Sequence, residues 1–101
     1  MARLDVRKLR GAKARANLVV ELQSDYMREI PTVIVAPLMS TKRRKPYALI
    51  NPVVQIAGEQ MAIRLEEMVG IPVAMLGDIA GTAAAAENEI AIGLNRLLFY
   101  V

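Results

Sequence analysis

Neither histidine nor cysteine occurs among the 101 residues, which removes imidazole acid–base work, thiol nucleophiles, disulfides and thiolate metal sites together. The side chains left to do chemistry are cations, carboxylates, amides and hydroxyls, and they are placed unevenly. Arg3, Arg7, Lys8, Arg10, Lys13 and Arg15 crowd the start and Lys42-Arg43-Arg44-Lys45 form a second run, leaving only Arg28, Arg64 and Arg96 of the thirteen cations elsewhere. Such clusters suit a ligand that presents several negative charges within a Debye length, an acidic polypeptide or a phosphate backbone. The competing reading is a pair of solvated loops that keep an apolar chain in solution. At the far end Leu97-Leu98-Phe99-Tyr100-Val101 is apolar and holds Phe99 and Tyr100, two of the four aromatic residues. A terminus of this composition is expected to dock rather than fray.

The elements that position these groups follow from the apolar pattern. Residues 1–101 read as one domain, small enough that burial against a second copy would add to its core. Leu4 and Val6 alternate with Arg3, Asp5 and Arg7, as in a half-buried strand. Lys8 to Arg15 is a basic loop around Gly11. Leu18 to Leu22 is a second strand stopped by Gln23-Ser24-Asp25, and Thr32-Val33-Ile34-Val35 is a third, expected to end at Pro37 because proline cannot donate to a central ladder. Val53 to Ile56 and Gln60 to Arg64 read as a hairpin about Ala57-Gly58-Glu59. Leu65 to Val69 is ambiguous between a helical turn and a bent strand ended by Gly70, and Val73 to Leu76 is a short strand closed by Gly77-Asp78. Met61, Met68 and Met75 are assigned to core packing.

Ala83 to Leu98 is the helix, with Thr82 as N-cap, Glu87 and Glu89 in its early turns and Arg96 near its end, charges that complement its dipole. Ile90, Leu94, Leu97 and Leu98 share the spacing of a buried face. Asn88, Ala91, Ile92, Asn95 and Phe99 form a second stripe, a candidate contact surface whose plainer reading is a widened core face. Gly93 costs about 1 kcal/mol against alanine in a helix interior and is expected to let another backbone or subunit come close. The uncharged stretch Ile30 to Thr41 is too short to span a bilayer and contains Pro31 and Pro37. The first residues lack the apolar core of a secretory signal, so a cytoplasmic protein without membrane contact is expected. No cofactor and no metal are expected.

Read in order, Val20-Glu21-Leu22-Gln23-Ser24-Asp25, Val35-Ala36-Pro37-Leu38, Asn51-Pro52-Val53-Val54-Gln55-Ile56, Ile71-Pro72-Val73-Ala74-Met75-Leu76-Gly77 and Glu87-Asn88-Glu89-Ile90 resemble the CcdB family of plasmid and chromosomal toxins. The likeness runs from about Leu18 to the end. It implies a mainly β chain with one C-terminal α-helix, an SH3-like barrel of a five-stranded antiparallel sheet and a small second sheet, working as a homodimer. It implies a toxin of a type II toxin–antitoxin pair that is not an enzyme. Such a toxin binds the A subunit of DNA gyrase and traps the gyrase–DNA cleavage complex. A CcdA-like antitoxin would neutralise it, and the pair would repress their operon, so that operator DNA is met only through that complex. Carried over residue by residue, the gyrase surface would comprise Ser24, Tyr26, Met27, Glu87, Ala91, Asn95, Phe99, Tyr100 and Val101. The last three stand where the best-known members carry Trp-Gly-Ile. The antitoxin surface would comprise Lys8, Arg10, Lys13, Arg15, Lys42, Arg43, Arg44 and Lys45.

Two other readings stay open. The same barrel occurs in the MazF and Kid toxins, which cut RNA with polar and charged residues; the candidates here would be Asp25, Arg28, Glu29 and Thr32, although no spacing marks an acid–base pair in one pocket. The third reading is an inactive relative that only binds antitoxin.

Overall fold

The computed structural model describes residues 3–11 and 17–99. Among the described residues seven strands, β1 (Asp5–Leu9), β2 (Leu18–Glu21), β3 (Thr32–Ser40), β4 (Val53–Ile56), β5 (Glu59–Ile63), β6 (Val69–Pro72) and β7 (Leu76–Thr82), precede one α-helix, α1 (Glu87–Leu98). All pairings are antiparallel, in the order β4-β5-β3-β2-β1-β7, with β6 also pairing β3. β3 is the shared element: its first half lies between β2 and β6, its second half pairs β5. The mainly β, one-helix barrel expected from the resemblance is the fold observed, as a curled antiparallel sheet.

Side-chain alternation explains why the sheet buries both faces at its centre. Val20 and Ala36 point into the larger core with Val6, Leu38, Ile63, Leu65 and Ile90. Their neighbours Val19 and Val35 point the other way, onto Val33 and Leu76. The β4–β5 hairpin turns through Ala57 and Gly58, both at positive φ, with Ile56 paired to Glu59; two left-handed residues match the strand twist.

Several expectations are corrected. Pro37 does not end β3. Its carbonyl accepts from the Arg64 N–H at 2.9 Å, and its nitrogen faces that same edge, in the interval after the last β6 partner (Val35) and before the first β5 partner (Leu38), so no ladder donor is lost. Gly70 lies inside β6 rather than ending a segment, because this outer strand is exposed there and needs no side chain to pack. Leu65–Glu67 is a 3₁₀ turn. Val73–Met75 is another, not a strand, and Met75 is exposed rather than in the core; the strand begins at Leu76 and continues through Gly77-Asp78 to pair β1.

The helix also differs. Thr82 Oγ1 accepts from the Ala84 N–H at 3.1 Å and so caps a 3₁₀ turn, Ala84–Ala86, that precedes α1. Leu97 and Leu98 are exposed. Gly93 does admit a close neighbour, but from the same chain: a Cβ placed on it would stand 2.7 Å from Leu65 Cδ1 and 3.5 Å from the Ile50 carbonyl oxygen. Those groups meet the helix one turn before Leu97, which therefore overhangs the core.

Candidate functional site

The 3₁₀ turn Asp25–Met27 follows β2 and is held from three sides. Ser24 Oγ accepts from the Tyr26 N–H at 3.2 Å. The Gln23 side chain donates to the Met27 carbonyl at 2.9 Å and accepts from the Ile34 N–H at 3.1 Å. Arg3 is the third clamp: its backbone N–H donates to Asp25 Oδ1, and its guanidinium donates to Glu87 Oε2, each at 2.9 Å. Arg3 thus clips the turn to the first residue of α1. With its backbone spent on these bonds, the turn projects Tyr26, 95% exposed, and Met27 into solvent.

Along α1, Glu87, Ala91 and Asn95 recur every fourth residue on one exposed stripe, and Phe99 follows, 68% exposed. The Phe99 N–H donates to the Asn95 carbonyl at 2.9 Å and completes the last helical bond. Ser24, Tyr26, Met27 and Glu87 are therefore brought together, and Ala91 and Asn95 extend from them. Phe99 lies at the other end of twelve helical residues, about 18 Å away. Tyr100 and Val101 lie outside the described residues.

The cationic groups occupy the opposite end of the sheet. β1 runs towards that end, β2 away from it and β3 towards it again, so Lys8 and Arg10 after the middle of β1 and the 42–45 run after β3 share one rim. Lys8, Lys42, Arg43 and Lys45 are exposed there. Arg10 Nε donates to the Leu76 carbonyl at 2.8 Å. Arg44 is engaged by Glu67 at 3.0 Å and Glu66 at 3.8 Å. Lys13 and Arg15 lie outside the described residues.

Behind this rim sits a fully buried guanidinium that the sequence reading did not single out. Arg64 pairs with Glu66 at 3.0 Å and stands 5.0 Å from the centre of the Tyr47 ring. Asn51 completes the cluster, donating to Glu66 Oε1 at 2.7 Å and to the Ile63 carbonyl at 3.1 Å while accepting from the Tyr47 N–H at 2.9 Å. For Glu66, burial raises the carboxyl pKa, but hydrogen bonds from Asn51 and the backbone and the charges of Arg64 and Arg44 together lower it. This network holds the loop between β3 and β4 in place.

A shallow recess of about 10 Å³ lies under the Asp25–Met27 turn, lined among others by Glu21, Asp25, Arg28 and Thr32. Three of the four residues considered for RNA cleavage thus meet; Glu29 is not among its walls. Glu21 is almost wholly buried, and burial raises its pKa against the opposing pull of Arg7 at 3.3 Å. Arg28 pairs with Asp25 at 3.1 Å. Among the described residues no group of three carboxylates could hold a metal ion, and no helix is long and apolar enough to cross a membrane.

The fold is that of a small curled antiparallel β-barrel carrying one C-terminal helix. The family model described as "CcdB protein" matches residues 3–99, and the chain belongs to the CcdB family. Among solved structures it is similar to an endoribonuclease in complex with its cognate antitoxin from a mycobacterial species, at a TM-score of 0.75 and 15% identity over 100% of this chain and 97% of that one. It is also similar to the Mycobacterium tuberculosis toxin MazF-mt6, at 0.73 and 21% over 91% and 93%. A further endoribonuclease from a mycobacterial species gives 0.72 and 17% over 97% and 90%. No curated protein matches the chain.

These likenesses correct one expectation. The resemblance implies a toxin that is not an enzyme, and the absence of histidine and cysteine removes imidazole and thiol chemistry. Endoribonucleases share its fold, so the missing residue types do not exclude an enzyme; a barrel of this kind leaves the chemistry to its loops.

Proposed function

We propose that the protein is a toxin whose homodimer binds the A subunit of DNA gyrase and holds the gyrase–DNA cleavage complex. The observation that carries this reading is the unpartnered stripe Ala91, Asn95 and Phe99, joined through Glu87 and Arg3 to the projecting Tyr26 and Met27. A preformed surface arrests a moving machine by binding one of its conformations more tightly than the others. Asn95 supplies a donor and an acceptor on that surface, and Phe99 an aromatic face for a cation. About 18 Å separate Tyr26's end of the helix from Phe99; a twofold axis passing beside the Phe99 ends would join the two stripes into one composite surface. The cationic rim of Lys8, Arg10, Lys42, Arg43 and Lys45 would receive an acidic CcdA-like antitoxin, whose complex with the toxin represses their operon. Such a rim gains association rate by steering.

The test is induction without antitoxin, followed by a gyrase cleavage assay. Asn95→Ala with Phe99→Ala should abolish growth arrest and trapped cleavage while thermal unfolding and antitoxin capture stay as in the parent. Full arrest in the double variant would refute the surface.

A second reading, RNA cleavage, is favoured by the recess that gathers Glu21, Asp25, Arg28 and Thr32. Glu21's raised pKa suits a group that exchanges a proton, and Arg28 suits stabilisation of charge on a phosphate. At about 10 Å³ the recess admits one water-sized group, so a strand would have to lie across its mouth. Cleaved RNA with intact DNA after induction, lost in Arg28→Ala, would establish this reading over the first.

A further inference from the structure

Leu4 is buried and yet left-handed. Its φ is 71°, and its side chain, 3% exposed, lies in the larger core. That conformation crowds the Cβ of an L-residue against the following carbonyl and persists where the surroundings over-determine it. Here they do. The Leu4 N–H donates to the Glu21 carbonyl at 2.7 Å, and the Leu4 carbonyl accepts from the Ala83 N–H at 2.8 Å. One bond holds the end of β2 and the other the approach to α1, so the bend straddles both elements. The residue it orients is Arg3, whose N–H reaches Asp25 and whose guanidinium reaches Glu87.

The remaining ties of the Asp25–Met27 turn are local. Ser24 bonds Tyr26, and Gln23 bonds Met27, Thr32 and Ile34. These fix the shape of the turn and its seat on β3 but leave its relation to α1 to Arg3. Tyr26 is almost wholly exposed, so its ring has little packing of its own and goes where the backbone carries it. An ion pair this open, with the Arg3 side chain 32% and the Glu87 side chain 61% exposed, adds little to stability. Its effect falls on orientation.

We propose that Arg3, aimed by the left-handed Leu4, is a positioning residue of the target surface: it locks Tyr26 and Met27 against the start of α1 in the arrangement the target meets, and Glu87 serves as its anchor rather than as a contact. The proposal rests on the reading of Tyr26, Met27, Ala91, Asn95 and Phe99 as the surface that binds gyrase, and it adds what makes the two halves of that surface one preorganised body. A turn that visits the bound arrangement about a tenth of the time binds about tenfold more weakly.

The test compares the full chain with Arg3→Ala, Arg3→Lys and Glu87→Ala, and repeats Arg3→Ala in a background carrying Tyr26→Ala and Met27→Ala. In NMR relaxation the Tyr26 and Met27 amides should fall in Arg3→Ala from order parameters of about 0.85 to below about 0.6, while the Asn95 amide stays as in the parent. The thermal midpoint should move by less than about 2 °C. Trapped gyrase cleavage should need about tenfold more of Arg3→Ala or of Glu87→Ala, and no more than that of the two combined, because they act as one unit. Arg3→Lys keeps the backbone bond and a cation and should lose less than about threefold; in the background without Tyr26 and Met27, Arg3→Ala should cost less than about twofold. Unchanged order parameters in Arg3→Ala would overturn the proposal. So would a loss of midpoint above about 5 °C, which would make Arg3 structural, or a tenfold loss of trapping that persists without Tyr26 and Met27, which would make Arg3 itself a contact. A parent that traps no gyrase would refute the gyrase reading, and the order parameters would still decide whether Arg3 holds the turn.

Discussion

Gly93→Ala places a methyl group where Leu65 already is. Its Cβ would lie 2.7 Å from Leu65 Cδ1, against an ordinary carbon–carbon contact of about 3.5–4.0 Å, so the Leu65 methyl must retreat by about 1 Å. Leu65 is fully buried beside Arg64 and has little space to do so. Overpacking of this kind costs about 1–3 kcal/mol, while alanine in place of glycine returns about 1 kcal/mol of helix propensity. The net expectation is a loss of about 1 kcal/mol. Leu65→Val removes both δ-methyl groups and adds one γ-methyl, a net loss of one carbon that costs about 1 kcal/mol, and leaves Gly93→Ala free to stabilise. The two substitutions together should then be about 1–2 kcal/mol better than the sum of their separate effects. Urea unfolding of the four proteins at one protein concentration measures this coupling, since self-association would otherwise shift the midpoint. An equal effect of Gly93→Ala in both backgrounds, within about 0.5 kcal/mol, would refute the contact as the reason for the glycine.

Glu66 has a lowered pKa, so its folded carboxylate contributes stability above its ordinary value of 4.5 that is lost as pH falls through the folded pKa. Glu66→Gln should therefore flatten the acid limb of a stability–pH curve below about pH 4.5, and an unchanged limb would mean that the Asn51 and Arg64 contacts do not hold it. Glu21 has a raised pKa, so the sign reverses: its protonated form is favoured in the fold at low pH and that contribution is lost as pH rises through the folded value. Glu21→Gln should gain on the parent as pH rises above 4.5, measured by thermal unfolding at successive pH values. Replacing Lys42, Arg43 and Lys45 with glutamine should slow association of an acidic antitoxin more at low salt than at high salt in stopped-flow measurements; an unchanged salt dependence would assign those charges to solubility.

The hairpin was legible because two β-forming runs, Val53 to Ile56 and Gln60 to Arg64, flank Ala57-Gly58-Glu59; the structure narrows that turn to Ala57 and Gly58 and gives Glu59 to β5, and local chemistry decides such a turn. The helix was legible for the same reason: its apolar period and end charges are contained in its own twelve residues. Pro37 was misread because its missing donor falls in the interval between two partner strands, Met75 because its apolar thioether sits exposed in a 3₁₀ turn, and Thr82 because its hydroxyl serves the 3₁₀ turn that begins two residues on rather than α1. Whether proline interrupts a ladder depends on which strand faces its nitrogen, and β6 and β5 leave that place vacant.

The same division runs through the candidate sites. The two cation clusters, the exposed stripe of α1 and the family itself could be read from order and spacing. That Arg3 clips Asp25 to Glu87, that Arg64 is buried beneath the basic loop, and that Asp25, Arg28 and Thr32 share a recess with Glu21 are facts of tertiary packing. Periodicity within one element decides which of its faces is apolar. Only the folding of residues as far apart as Arg3 and Glu87 against one another decides which charges are spent inside the molecule and which remain for a partner.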